Sequence, residues 1–224
     1  KILGFSDHAP FIFPDGTESG YRIQSSQVSD YFNSLKELRE KYKDKIKIHI
    51  GFEMEYYPLY FEDMLKNVEN LGAEYLILGQ HFIGNEHPNG KYSGSIDNGK
   101  TELKEYVDCV IAGIKSKKFL YVAHPDVFRF DTKNEVYKKE MIRLCRASKR
   151  YNVPLEINFL GIRDNRYYPY DDFWKIAGEV GVKVVFGIDA HTPQSFEVES
   201  SLNVAKSIAE KYNIKVLDSL NIEK

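Results

Sequence analysis

Two ionisable residues, Asp189 and His191, end a run that otherwise has the composition of a buried strand. The run consists of the apolar residues 184–186 followed by Gly187. Residues i and i+2 of a strand point to the same side, so the carboxylate and the imidazole would lie next to each other. Burying such a pair is costly unless it binds something. This strand end is therefore a candidate site.

The same arrangement recurs along the whole chain. Apolar or alternating runs are followed each time by a segment with helical spacing. The predicted strands are 1–8, 45–57, 74–82, 118–126, 153–159 and 183–191, and the predicted helices are 25–42, 60–72, 101–116, 134–151, 170–181 and 196–212. Six strand–helix units predict an α/β fold with a parallel sheet and crossover helices, as an open sheet or a closed barrel. In both, ligands bind at the carboxyl ends of the strands.

Those strand ends carry acids and imidazoles where a core packed for stability alone would carry Val, Ile or Leu. Four of the six histidines in the chain fall there. The residues are, strand by strand, Asp7 and His8, Glu53 and Glu55, His81, His124 and Asp126, Glu156 and Asn158, and Asp189 and His191. Taken singly, each has an ordinary structural interpretation. Glu55 fits a solvated neighbour of Glu53, Asp126 fits a turn residue or a support for the site, and Glu156 fits a structural role.

The combination predicts a metal centre. Imidazoles mixed with carboxylates and without a thiolate suit Zn²⁺, Mn²⁺ or Fe²⁺. So many groups exceed the needs of one ion, so we expect two to three divalent cations. Pairs of cations roughly 3.5–4 Å apart are a known solution for phosphoester hydrolysis. Glu53, near the middle of the strand array, is the candidate for a bridging carboxylate.

The motifs FSDH, GFEMEY, LGQHF, AHPD, EIN and GIDAH occur in an order that resembles the polymerase and histidinol phosphatase (PHP) superfamily, and most closely its monofunctional histidinol-phosphatase branch. The resemblance implies a single domain over 1–224 with a distorted (β/α)7 TIM-like barrel and a trinuclear metal site. It implies metal ligation by His8, Glu53, His81, His124, Asp189 and His191. It also implies a cation after the fifth strand that binds the substrate phosphate.

Arg163 fits the position of that cation, and a guanidinium suits phosphate oxygens. The catalytic residues expected are then Glu53, Asp189, His191 and Arg163, and Arg163 and Asn158 are expected to contact the substrate. The family pattern opens with a His-x-His strand, whereas no histidine precedes His8. We therefore expect the first strand and helix of the barrel, ~35–40 residues, to be absent from this chain.

Bulk properties narrow the function classes. The 224 residues are 42% hydrophobic and carry a formal net charge of -2, which does not favour nucleic-acid or membrane-surface partners. Two distant cysteines, Cys109 and Cys145, fit a reducing cytoplasm. The resemblance implies hydrolysis of L-histidinol phosphate in histidine biosynthesis. The alternatives are phosphoesterase activity on another small-molecule or nucleic-acid substrate, and a non-catalytic remnant. Oligomeric state and the role of the 83–99 loop stay open.

Overall fold

A computed structural model describes residues 1–222, so the last two residues of the predicted domain lie outside the described part. These described residues form eight strands: β1 (Ile2–His8), β2 (Lys47–Met54), β3 (Leu76–Leu78), β4 (Phe82–Ile83), β5 (Lys91–Tyr92), β6 (Leu155–Asn158), β7 (Lys183–Gly187) and β8 (Lys215–Val216). The α-helices are α1 (Val28–Tyr42), α2 (Phe61–Asn70), α3 (Lys100–Ser116), α4 (Glu135–Tyr151), α5 (Phe159–Arg163), α6 (Asp171–Val180) and α7 (Glu199–Lys211).

The main sheet is parallel throughout. Its order is β1-β2-β3, then a single bridging residue, Val122, then β6-β7-β8. Val122 pairs with Leu78 on one side and Leu155 on the other, so it connects the two halves. The predicted strand 118–126 is therefore wrong in extent. The chain leaves strand geometry at His124, whose φ is +29°.

The sequence patterns did not predict two regions of the sheet structure. The two-residue strand β8 is too short to show alternation, and β4 and β5 form an antiparallel hairpin inside the region assigned to a strand end and a loop. Within residues 1–222 the main sheet begins at β1 and ends at β8, and no ladder between these two strands closes it. The absence of a family strand before β1 stays a prediction.

The six predicted helices are all present, and α4 shows why. Asn134 caps its first turn by accepting from the Val136 N–H at 3.0 Å. Its buried residues recur at helical spacing and face the core, and Asn152 ends it in the left-handed conformation. The predicted helix 196–212 begins later, at Glu199, because a short 3₁₀ turn occupies Pro193–Phe196.

The core lies on both faces of the sheet. Strand β2 is buried without interruption from Ile50 to Met54, as expected of a parallel strand covered on both faces. Trp174 and Phe173 of α6 are fully buried. None of the described helices has the length and apolarity needed to cross a bilayer. The helices thus cover the sheet, and its carboxyl edge carries the candidate site.

Candidate active site

Four of the predicted ligands meet at the carboxyl edge. The β1–β2 register places His8 directly beside Glu53. Candidate ligand atoms of His8, Glu53 and His81 all lie within 4.8 Å of one another. Glu53 Oε1 is 3.5 Å from His81 Nε2 and 3.0 Å from His124 Nε2. Glu53 Oε1 thus lies among the imidazoles, and its role as a bridging ligand stays a prediction.

Glycine makes room for this carboxylate. A Cβ at Gly79, just after β3, would lie 1.8 Å from Glu53 Oε1. Any side chain there would push Glu53 out of its place between the imidazoles. The rings themselves are closely packed, with centroid distances of 4.9 Å from His8 to His81 and 4.8 Å from His81 to His124.

A second group of residues, at the carboxyl ends of β6 and β7, connects that half of the sheet to this cluster. Asn158 Nδ2 donates to Asp189 Oδ2 and to Glu156 Oε2, both at 2.9 Å. Glu156 Oε2 also accepts from the His124 backbone N–H at 2.9 Å. Asn158 is buried, and its Oδ1 accepts from the Gly161 N–H. The contacts observed for Asn158 therefore position Asp189 and Glu156, and its contact with substrate stays a prediction.

Asp189 itself sits in a left-handed turn with φ +49°. Arg163 holds this turn from outside, since its guanidinium donates to the backbone carbonyls of Ile188, at 3.4 Å, and of Asp189, at 3.2 Å. His191 lies at the rim with its side chain 60% exposed and its Nδ1 3.3 Å from Asp189 Oδ1. Arg163 and His191 thus lie beside Asp189, while their predicted roles toward phosphate and metal stay predictions.

Glu55 differs from the solvated residue that the sequence suggested. Its side chain is fully buried, and Oε1 lies 2.9 Å from His81 Nδ1. Its other oxygen pairs with Arg22, a buried residue that sequence reasoning did not single out. The signal for Arg22 was weak, because it lies in a polar loop far in sequence from Glu55.

The other acids at strand ends have supporting positions or lie outside the site. Asp126 is buried and accepts from the Tyr170 N–H at 2.7 Å, so it fixes the loop before α6. Asp7 is exposed and accepts from the backbone N–H of His8 at 2.7 Å, outside the cluster. Glu156 has the structural role expected from its depth in the strand.

The ionisable groups in the cluster shift one another's pKa values. Burial would raise the pKa of Glu53, but the imidazoles of His81 and His124 outweigh it and hold this pKa well below its usual range. Burial would lower the pKa of His124, but the hydrogen bond and charge of Glu53, with the charges of Asp189 and Glu156, raise it to about 9. Burial raises the pKa of Glu156 to about 7, against the lowering effect of His124. A metal ion bound here would take the place of the proton on the imidazole and would supply the positive charge next to the carboxylate.

The residues present fit a divalent metal centre. Three imidazoles and a carboxylate converge, and both cysteines are buried away in helices, so the donor set is nitrogen and oxygen only. Within the described residues, the buried Nδ1 atoms of His8 and His124 have no hydrogen-bond partner. Buried polar atoms are normally paired, so the His8 nitrogen is available to a ligand, whereas the His124 nitrogen that faces Glu53 is Nε2.

Aromatic rings border the cluster. The Tyr21 ring packs against the rings of His8 and His81, with centroid distances of 4.9 and 5.3 Å, and contacts Phe82 at 5.0 Å. On the other side, the Tyr168 ring lies 6.3 Å from that of His124. Tyr21 is 37% exposed, so its ring is accessible at the mouth of the site.

Comparison with known proteins agrees with this arrangement. The sequence matches the PHP domain over residues 1–159. A probable histidinol-phosphatase of Deinococcus radiodurans is 22% identical over 201 residues, which cover 85% of this chain and 75% of that protein. The crystal structure of histidinol phosphate phosphatase from Lactococcus lactis, complexed with zinc, L-histidinol and phosphate, superposes with a TM-score of 0.71 at 19% identity, covering 99% of this chain and 86% of that one.

A second solved structure, from Listeria monocytogenes, has a TM-score of 0.69 at 20% identity and covers 90% of this chain and 88% of its own. These two likenesses confirm the predicted fold class. The domain match spans more than half of the residues and carries the strand-end motifs that hold His8, Glu53, His81 and His124. The chain is a member of the PHP-domain family.

Proposed function

We propose that this chain is a metal-dependent phosphatase that hydrolyses L-histidinol phosphate to L-histidinol and inorganic phosphate. The observation that carries the proposal is the convergence of His8, Glu53, His81 and His124 at one sheet edge in a PHP-family chain. The names of the Deinococcus and Lactococcus proteins support the substrate. A place in histidine biosynthesis in the cytoplasm belongs to the same proposal.

The metal ligands proposed are His8, Glu53, His81, His124, Asp189 and His191, which would hold two to three Zn²⁺, Mn²⁺ or Fe²⁺ ions. When bound, such ions neutralise phosphoryl oxygens and lower the pKa of water so that a nucleophile is available at neutral pH. Glu53 is central because its Oε1 faces two imidazoles at 3.0 and 3.5 Å. Asp189 lies on the opposite half of the sheet and is oriented by Asn158.

The remaining residues bind and orient the substrate. Arg163, anchored on the carbonyls of Ile188 and Asp189, brings a fixed positive charge next to the cluster and would stabilise phosphate oxygens. The exposed Tyr21 ring offers a planar apolar surface to the imidazole ring of histidinol. The reaction adds water across the P–O ester bond, and the leaving alkoxide takes a proton.

The test is phosphate release from L-histidinol phosphate, measured on the chain together with any residues that precede Lys1 in its reading frame. The protein is loaded with Mn²⁺ or Zn²⁺ and compared with Asp189→Ala. We expect a loss of kcat of about 100-fold or more in the variant, because it lacks a proposed ligand of the ions that activate water. Equal, slow release by both proteins would contradict the proposal.

A panel of phosphoesters identifies the substrate class. Activity highest on L-histidinol phosphate, with little dependence on salt, agrees with the proposal. Cleavage of single-stranded DNA that falls steeply with salt would replace it with a nuclease, because phosphate-backbone binding releases counterions.

A further inference from the structure

A buried arginine connects three segments of the chain next to the cluster of His8, Glu53, His81 and His124. Arg22 is 5% exposed. Its Nη1 donates to the carbonyl oxygen of Ala9 at 2.9 Å, and its Nη2 donates to Glu55 Oε2. Its Nε and Nη2 also bind the carboxylate of Glu86, at 2.9 and 2.6 Å, and the Tyr57 hydroxyl donates to Glu86 at 3.0 Å.

Two of these contacts lead directly to proposed metal ligands. Ala9 follows His8 in the chain, so the Arg22–Ala9 bond fixes the backbone that carries His8. Glu55 accepts through its other oxygen from His81 Nδ1 at 2.9 Å. A carboxylate can only accept, so this hydrogen bond places a proton on Nδ1 and turns Nε2 toward Glu53.

We propose that Arg22 is a positioning residue of the metal centre, which holds His8 and His81 at the spacing and ring orientation that let both bind one cation. The proposal rests on the proposed function, because it takes His8 and His81 to be ligands. Arg22 does not touch the cluster itself. It acts through Ala9 and through Glu55.

The chemistry of the site requires a guanidinium. Glu55 and Glu86 are both buried, and two unpaired carboxylates at this depth would be strongly unfavourable. The planar fork of Arg reaches both acids and a carbonyl at once, whereas a lysine ammonium is a single point charge. Glu86 belongs to the 83–99 loop, so this ion pair anchors that loop to Arg22.

The chain contains a matched control on another part of its surface. Arg39 pairs with Glu74, and Glu74 binds His49 Nδ1 at 2.9 Å, so the same Arg–Glu–His order occurs there. The Arg39 side chain is 38% exposed, and His49 lies within β2 rather than at its carboxyl end. Arg39→Lys therefore makes the same chemical change without touching the cluster.

The experiment compares wild type, Arg22→Lys, Glu86→Gln and Arg39→Lys. Zn²⁺ and Mn²⁺ affinities are measured by titration of metal-free protein, with circular dichroism to select folded samples. We expect Arg22→Lys to raise the metal Kd about 10- to 100-fold, the usual effect of losing support behind a ligand. Glu86→Gln keeps the Ala9 and Glu55 contacts and should weaken binding less. Arg39→Lys should stay within about twofold of wild type.

A second measurement needs no metal. Long-range ¹H–¹⁵N NMR of the metal-free protein reports which nitrogen of neutral His81 carries the proton. We expect Nδ1–H in wild type and in Arg39→Lys, and a mixture of tautomers in Arg22→Lys. Unchanged metal affinity with an unchanged tautomer in Arg22→Lys would overturn the positioning role.

Failure of the proposed function gives a different result. In that case wild type takes up no metal and releases no phosphate, whatever residue occupies position 22. The tautomer comparison then still decides whether Arg22 orients His81. A variant that loses metal affinity and Nδ1–H preference together, in a folded protein, supports the proposal.

Discussion

Replacing Gly79 with alanine should abolish tight metal binding while leaving the fold in place. The new Cβ would lie 1.8 Å from Glu53 Oε1, 2.7 Å from its Cδ and 2.9 Å from its Cγ. Real Cβ atoms do not approach so closely, so the whole carboxylate must move. The backbone at Gly79 is not in the left-handed region, so the effect of the substitution is steric alone.

The magnitude follows from what Glu53 loses. Its hydrogen bond with His124, at 3.0 Å, is buried and charged, and such a bond contributes about 1.5–3 kcal/mol. Overpacking a filled interior costs about 1–3 kcal/mol, part of which is relieved as Glu53 moves. A loss of about 3 kcal/mol in the free energy of unfolding corresponds to a fall in Tm of about 6–12 °C for a chain of this size.

Gly20→Ala is the matched control, because nothing lies within 4 Å of a Cβ there. Thermal unfolding and metal content after dialysis are measured for both variants. Gly20→Ala should match wild type within about 0.5 kcal/mol. A Gly79→Ala protein with the Tm and metal content of the control would refute the reasoning that Glu53 must occupy its observed position.

Three further predictions follow from the same geometry. Gly187→Ala should reduce both stability and activity. The new Cβ would lie 1.6 Å from Glu156 Oε1 and would displace the carboxylate that accepts from the His124 N–H. An unchanged kcat would contradict this prediction. In the metal-free protein, the pKa of His124 is raised from 6.5 to about 9. The stabilising effect of its charge is therefore fully present below pH 6.5 and is lost as pH rises through about 9. Tm should fall over this interval, and should fall less in His124→Gln. Because the proton and the metal compete for His124, metal affinity should rise with pH over the same interval; isothermal titration at several pH values measures it, and a flat profile would show that His124 is not a ligand.

The meeting of the candidate ligands at one edge was predictable because strand alternation is local and a parallel sheet gathers its carboxyl ends. The spacing in GIDAH and AHPD places acids and imidazoles at strand ends, and a parallel sheet then brings His8, Glu53, His81 and His124 together. Most helix bounds were predictable because capping residues such as Asn134 act locally, but the 3₁₀ turn at Pro193–Phe196 delayed the start of α7.

The supporting network was not predictable from these patterns. Arg22 lies 33 residues from Glu55 and 64 from Glu86, and no periodicity relates a polar loop to partners so distant. The burial of Glu55 depends on its pairing with Arg22. Strand alternation does not reveal that partner, so the sequence suggested a solvated residue. Strand β8 and helix α5 are too short for a periodic signal, and the orientation of Asn158 depends on Asp189 in the turn after β7.

Anomalous X-ray scattering at the zinc absorption edge, from crystals grown with Zn²⁺, tests the central claim most directly. The account predicts at least two anomalous peaks at the carboxyl edge of the sheet, with coordination distances of about 2.0–2.2 Å to ring nitrogens and carboxylate oxygens. His8, Glu53, His81 and His124 should be among the ligands. Crystals that show no peak there, while these four side chains keep the positions described, would contradict it.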